Sequence, residues 1–152
     1  MCLRWIVAVT LVTLAGCGEG SSLQAFIDDL VAACATVNDD LPKASNEAEA
    51  ATVVRGFVSK AEDLVAATPD GEPPGDTKYY DSLTKEMGEA ADNLDEAHAL
   101  RVAGNDAEAD AAKAQADQNV AAADEAAEQY GFPVHMSECR AYLESNSASP
   151  SG

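Results

Sequence analysis

Apolar residues recur at steps of three and four along most of this chain, and no stretch alternates apolar and polar residues with period two. A spacing near 3.6 residues places side chains on one face of an α-helix, whereas a half-buried strand needs period two. Breaker-rich stretches at 38–42, 68–75 and 104–105 separate the periodic segments. The pattern therefore predicts an all-α fold with four amphipathic helices.

Each predicted helix has its own start signal. Ser21 caps the first helix, the second begins near Ser45, the third begins near Asp76, and the fourth runs from Asp106 to Tyr130. The first helix carries the longest apolar stripe, which consists of Leu23, Phe26, Ile27, Leu30, Cys34, Val37 and Leu41. Such a stripe buries one helix face against its neighbours.

The fourth helix is rich in alanine, with eleven alanines between residues 106 and 129. Alanine favours helix formation and lets neighbouring helices approach closely, although it buries little area. Gly131 follows this helix as expected of a residue that ends a helix in the left-handed conformation. Short connections between four such helices predict an antiparallel, up-down-up-down four-helix bundle.

The N-terminus has the pattern of an export signal. Arg4 precedes an apolar run from Trp5 to Leu14, which is too short to cross a bilayer but suits the central region of a signal peptide. Leu14-Ala15-Gly16-Cys17 then resembles the bacterial lipobox. That resemblance implies a diacylglycerol on the Cys17 thiol, removal of residues 1–16, and a lipid anchor on the outer face of the cell membrane. Two acyl chains suffice for stable anchoring.

The cysteines agree with export. Cys2 leaves with the signal and Cys17 is lipidated, so Cys34 and Cys139 remain to form a disulfide in an oxidising compartment. The bridge closes a loop of roughly 105 residues, for which the chain-entropy description gives about 4.7 kcal/mol of stabilisation. Residues 131–139 are long enough to run back from the end of the fourth helix to Cys34.

These predictions divide the chain into four parts. Residues 1–16 are the lipoprotein signal peptide, and 17–21 are a lipidated tether. Residues 22–143 form the helical domain, in which 140–143 add one more turn. Residues 144–152 have nothing to bury, so they are predicted to be a disordered tail.

The lipobox, the helical body, and Tyr130-Gly131-Phe132 followed by Cys139 resemble a group of small bacterial lipoproteins of unknown function. Cys17 and Cys34 match the same pattern, which spans nearly the whole chain. Cys139 follows the aromatic residues at a longer distance than in that group. The group has no established activity, so the resemblance implies a location at the membrane and a fold but no enzymatic reaction.

The net charge indicates which classes of binding partner are not expected. The formal charge is −18, and loss of residues 1–16, whose only charged residue is Arg4, changes it to −19. Phosphate groups repel such a surface, so we expect no nucleic-acid partner and no electrostatic adhesion to anionic lipid.

No motif indicates a cofactor or an enzyme. Asp95 and His98 are three residues apart, which is half of the pattern of a di-metal site in a helical bundle, and we interpret them as a solvated pair. His135 beside Met136 is a weak metal signal. Asp106, Glu108 and Asp110 begin like a calcium loop but lack its glycine, so they are interpreted as acids in a first helical turn.

The function predicted from the sequence is therefore a non-enzymatic, lipid-anchored extracytoplasmic helical module that acts by contact with another extracytoplasmic protein. One alternative is a carrier that holds a small apolar ligand between its helices, among aromatic residues such as Phe26 and Phe57. A less favoured alternative is a metal-dependent enzyme that uses His98.

Overall fold

A computed structural model describes residues 19–147 of the chain, and of residues 19–21 and 147 it describes the backbone alone. This span is all-helical, as predicted, and contains no strand. Two short 3-10 turns span Leu41–Lys43 and Met136–Glu138. The α-helices are α1 (Glu19–Asp40), α2 (Glu47–Ala66), α3 (Thr77–Val102), α4 (Asp106–Tyr130) and α5 (Cys139–Ser147).

Helix α1 starts at Glu19, two residues before the predicted cap at Ser21. The sequence permits this earlier start, because no proline lies between residues 19 and 21. An acidic residue in the first turn also suits the positive end of the helix dipole. Most of the predicted stripe is buried. Leu41 is the exception, because α1 ends at Asp40 and Leu41 lies 40% exposed in the 3-10 turn that contains Pro42.

Helices α2, α3 and α4 begin and end close to the predicted positions. Asn46, rather than Ser45, caps α2 by accepting a hydrogen bond from the Glu49 backbone N–H at 3.0 Å. Asp76 caps α3 through the Lys78 N–H at 3.1 Å. Helix α4 has the predicted bounds, and Gly131 ends it with φ 112°, in the left-handed region.

Three aromatic rings bring one set of helix ends together. Phe26 at the start of α1 lies 6.0 Å from Tyr80 at the start of α3 and 6.3 Å from Tyr130 at the end of α4, measured between ring centroids. The Tyr130 hydroxyl donates to the carbonyl of Pro74. Burial raises the pKa of Tyr80 to about 12, with smaller contributions from Glu62 and Asp81. The cluster is therefore uncharged at neutral pH, and we call this end of the molecule the aromatic end.

The opposite end is held by an ion pair. Arg101 in the last turn of α3 binds Glu47 in the first turn of α2, with 2.8 Å between Nε and Oε1. The connection between α3 and α4, which includes Gly104 and Asn105, lies next to Arg101 in the chain. We call this the distal end.

Helix α4 packs closely against α3 through small side chains, as the alanine content predicts. Ala109, Ala116, Ala123 and Ala127 of α4 are buried, as are Ala90, Ala91 and Ala97 of α3. Alanine side chains leave little apolar area to stabilise this contact. Among the largest fully buried side chains, Leu30 and Val31 lie in α1, Phe57 in α2 and Leu83 in α3.

Cys34 and Cys139 lie at disulfide distance, with their Cα atoms 5.9 Å apart, and both are buried. This confirms the predicted pairing of α1 with the C-terminal segment. Asn38 adds two hydrogen bonds to that segment: its Nδ2 donates to the Met136 carbonyl at 3.0 Å, and its Oδ1 accepts from the Arg140 N–H at 3.2 Å.

The predicted disordered tail, 144–152, is wrong for its first four residues, because α5 continues to Ser147. Arg140 Nε pairs with Glu144 Oε1 at 2.8 Å one turn along, and the Ser145 hydroxyl donates to the Tyr142 carbonyl at 2.8 Å. These local bonds extend the helix without further burial. Residues 148–152 lie outside the described residues, as do residues 1–18, and none of the helices within 19–147 is long and apolar enough to cross a membrane.

Replacing both cysteines, C34A/C139A, should lower the free energy of unfolding by about 2–5 kcal/mol, because the bridge constrains a long loop in the unfolded chain. Urea denaturation of the oxidised protein measures the change. A reductant should lower the wild-type midpoint and leave that of the variant unchanged. Residues 19–152 contain Cys34 and Cys139 and no other cysteine, so two titratable thiols in this span, purified under oxidising conditions, would contradict the pairing.

Gly131→Ala should destabilise the protein by about 1–3 kcal/mol, because an L-residue is strained in the left-handed region. The added Cβ would also lie 3.1 Å from Ile27 Cδ1. Gly56→Ala is the matched control, since Gly56 is within α2 and no other atom lies within 4 Å of its added Cβ. This control should stabilise the protein by about 0.5–1 kcal/mol, and equal effects of the two variants on the urea midpoint would contradict the assignment.

Candidate functional site

A groove of about 630 Å³ opens at the distal end, between α2 and α4, with α3 as its floor. Pockets that hold ligands are commonly about 300–1,000 Å³ and mostly apolar, so this volume is in the functional range. The apolar lining comes from all three helices and from the α1–α2 connection, and it includes Leu41, Ala50, Val54, Leu94, Ala116 and Val120.

The groove lies where α3 continues past the end of α1. Phe26 of α1 is level with Tyr80 of α3, and α1 ends at Asp40, fourteen residues and about 21 Å further along. Helix α3 continues from Tyr80 to Val102, which is twenty-two residues and about 33 Å. The last 12 Å or so of α3, about two turns, therefore extend past the end of α1.

Three large apolar side chains remain exposed at this end. Leu41 is 40% exposed, Val102 76% and Val120 38%, and they are the large hydrophobic residues found exposed within 19–147. All three line the groove. Because exposed apolar residues that cluster rather than scatter mark binding surfaces, this coincidence distinguishes the groove from the remaining surface.

A second depression of about 450 Å³ lies between α1 and α2, next to Thr36, Gly56 and Lys60. None of the three exposed hydrophobic residues lines it. Its position is explained by the missing side chain of Gly56, which leaves open space on α2. The distal groove is therefore the stronger candidate for a functional site.

Charged side chains surround the groove and are engaged with each other. Arg101 binds Glu47 at 2.8 Å and Asp110 at 2.9 Å, and Asp106 lies 3.7 Å from its Nη1. The pKa of Glu47 is lowered, first by a hydrogen bond from its own backbone N–H and then by Arg101. The Arg101 guanidinium thus links the ends of α2 and α3 to the first turns of α4.

Lys113 and Asp117 form a second pair on the α4 wall, with 3.0 Å between Nζ and Oδ2. With Glu47, Asp106 and Asp110, Asp117 makes four carboxylates near the groove, against the two cations Arg101 and Lys113. Glu47 and Asp117 balance the two cations within the lining, and the acidic excess comes from Asp106 and Asp110, which lie on Arg101 just outside it.

The structure does not join Asp95 and His98 into a metal site. Asp95 Oδ2 binds Arg55 of α2 at 2.6 Å, while His98 Nδ1 faces Glu47 Oε2 at 3.9 Å on the groove wall. Asp95 is thus part of an ion pair between α2 and α3 rather than a solvated partner of His98. Within the described span, no three His, Cys, Asp or Glu side chains are grouped as metal ligands would be.

His135 has partners that the sequence did not indicate. Its Nδ1 lies 3.0 Å from Asp124 Oδ2 and 3.4 Å from Glu128 Oε1, both on α4. The other carboxylate oxygen of Asp124 accepts the Met136 N–H at 2.7 Å. Asp124 and Glu128 are one turn apart on α4, and they hold the chain where it turns back towards Cys34. We call Asp124, Glu128 and His135 the tail clasp.

The predicted lipidation site, Cys17, lies outside the described residues, so the anchor stays a prediction. Comparison with protein-family models, with curated proteins and with solved structures finds no match to this chain. The candidate site therefore depends on the geometry of the groove alone.

The tail clasp should make stability depend on pH. The pKa of His135 is raised by its hydrogen bond to Asp124, then by the charges of Asp124, Glu128 and Glu138. Because the folded pKa exceeds the ordinary value of about 6.5, this stabilisation is complete below about pH 6.5 and is lost as the pH rises through the raised pKa.

Urea midpoints between pH 5 and pH 9 test the clasp, with His135→Gln as the variant and His98→Gln as the control. The difference between wild type and H135Q should be largest at low pH and shrink as the pH rises. A pH-independent difference would contradict the clasp. H98Q should retain the wild-type contribution of His135.

Proposed function

We propose that this protein is a non-enzymatic, lipid-anchored extracytoplasmic module that binds another protein through its distal groove. The observation that carries the proposal is the presence of all three exposed large hydrophobic residues in a single groove. Interfaces of this kind combine an apolar centre with a polar rim. Here the apolar side chains lie between the charged pairs of Arg101 and Lys113.

The proposed architecture is an antiparallel four-helix bundle formed by α1 to α4, with α5 attached to α1. Two groups of contacts support it. The starts of α1 and α3 meet the end of α4 at the aromatic end, and the start of α2 meets the end of α3 at the distal end. Consecutive helices would then run in opposite directions, as short connections favour.

The predicted anchor gives the groove an orientation. Cys17 is two residues before the first residue of α1, so a lipid on Cys17 would hold the aromatic end close to the bilayer. The groove would then open about 33 Å further out, since that is the length of α3 from Tyr80 to Val102. A groove in this position would be accessible to a protein beside the anchored molecule and not to the lipid surface.

The ion pairs of the groove have a structural role in this proposal. Two basic side chains are held by carboxylates: Arg101 by Glu47 and Asp110, and Lys113 by Asp117. In the proposed role these ion pairs fix the spacing of α2, α3 and α4 around the groove.

The test is site-specific photo-crosslinking in intact cells that express the anchored protein. A photoreactive residue at Val102 or at Val120 should crosslink to the same partner protein. Ala121 is the matched control, because it is exposed on α4 beside Val120 and does not line the groove. Crosslinks of equal yield from positions 120 and 121, or none from 102 and 120, would contradict the proposed function.

A second candidate function, the carrier of a small apolar ligand, is favoured by the groove volume, which falls within the range of ligand pockets. The carrier hypothesis and the protein-binding hypothesis predict different results for what copurifies with the protein. Native mass spectrometry of gently purified protein should show a bound small molecule if the carrier hypothesis is right. The unliganded mass alone is the expectation of the protein-binding hypothesis.

A further inference from the structure

The shape of the distal groove indicates what kind of protein segment it takes. Up to Asp40, α1 lies beside α2, α3 and α4. From Asp40 towards the distal end, the corresponding position is left open for about 12 Å. An α-helix advances 1.5 Å per residue, so this length corresponds to about eight residues, or two turns. The open space continues the path of a helix and is lined on three sides by helices.

The volume agrees with a helix that inserts one face. A cylinder about 10 Å wide and 12 Å long occupies on the order of 900 Å³. The groove provides about 630 Å³. A docked helix would therefore bury its inner face and keep its outer face in solvent, which is the geometry of amphipathic helices bound in grooves.

The exposed rim favours a helix over a small ligand. Val102 is 76% exposed at the end of α3, and Leu41 is 40% exposed on the α1–α2 connection. A small molecule between the helices would leave such rim residues in water. A helix that extends along the groove would cover both of them together with Val120.

The negative charge of the protein indicates which class of helix would bind in the groove. Glu47 and Asp117 line the groove with Arg101 and Lys113, Asp106 and Asp110 lie on Arg101 just outside it, and the chain from residue 17 onwards carries −19. Such a field attracts basic segments and raises their association rate, whereas it repels acidic ones. The same charge opposes a second copy of this chain, because two molecules at −19 repel each other.

We infer that the distal groove binds a short amphipathic helix, about two turns long with Lys or Arg on its outer face, from another extracytoplasmic protein. This inference rests on the proposed function and names the class of partner. The apolar stripe of that helix would contact Leu41, Val102 and Val120, and its basic residues would lie near Asp106, Asp110 and Asp117.

Fluorescence anisotropy with synthetic peptides of roughly 14 residues, long enough to sample a helix in water, tests the inference. One peptide has Leu at helical spacing and Lys elsewhere. The second replaces Lys with Glu, and the third scrambles the first so that no apolar stripe remains. Three proteins are compared, each spanning residues 19–152 with the disulfide formed. They are the wild type, the variant V102S/V120S, and the control A121S on the neighbouring face of α4.

The Lys peptide should bind wild type and A121S equally. V102S/V120S should weaken its binding at least about tenfold, which corresponds to about 1.4 kcal/mol. The Glu and scrambled peptides should bind at least about tenfold more weakly than the Lys peptide, and higher salt should weaken binding of the Lys peptide. Unchanged circular dichroism and urea midpoints would show that the variants remain folded.

Four results would overturn the inference. Equal binding of the scrambled Lys peptide, or unchanged binding to V102S/V120S, would mean that the acidic surface as a whole attracts cations. Tighter binding of the Glu peptide would refute the charge argument, and no binding of any peptide would refute a helix site. Crosslinks from Val102 and Val120 in cells would persist in each of these cases if only the partner class were wrong, so the two failures are distinguishable.

Discussion

The length of α1 relative to α3 is the constraint on which the surface of this molecule depends. Helix α1 ends at Asp40 because Pro42 follows in a 3-10 turn, and a proline cannot continue a regular helix. Helix α3 continues for about two more turns beyond that level. Leu41, Val102 and Val120 are exposed at this end, and Arg101 links α3 to α2 through Glu47 and to α4 through Asp110.

The remaining architecture compensates for a core that is thin on one side. Alanine contacts between α3 and α4 allow close packing but bury little apolar area. Two features fix the C-terminal segment across this body: the Cys34–Cys139 pair on α1 and the tail clasp on α4. Together they tie the first and the last of the long helices through a segment that has few large apolar residues of its own.

Much of the fold follows from local patterns in the sequence. The bounds of α4 coincide with the break at 104–105 and with Gly131, and the stripe of α1 predicts most of the residues that this helix buries. The pairing of Cys34 with Cys139 follows from export and from the reach of residues 131–139. These predictions succeed because each depends on neighbouring residues or on an upper limit to chain length.

The groove and the tail clasp could not be predicted in the same way. Leu41 continues the α1 stripe, so periodicity alone assigns it to the core, and its exposure depends on how far a different helix extends. Asp95 is paired with Arg55 of another helix, and His135 with Asp124, across separations that spacing does not encode. Helix α5 continues over 144–147, where Arg140 pairs with Glu144 one turn along, and composition does not reveal that pair.

With the proposed lipid on Cys17, the groove would lie at the end of the molecule that is far from the bilayer. The most direct measurement is energy transfer from a dye at position 77 or at position 102 to acceptor lipids, with the lipid-modified protein in vesicles. Thr77 and Val102 are the two ends of α3, about 38 Å apart along one helix. We predict strong transfer from position 77, weak transfer from position 102, and none from either after Cys17→Ser. Equal transfer from both positions would show that the molecule lies flat on the membrane, and unchanged transfer after Cys17→Ser would refute the anchor.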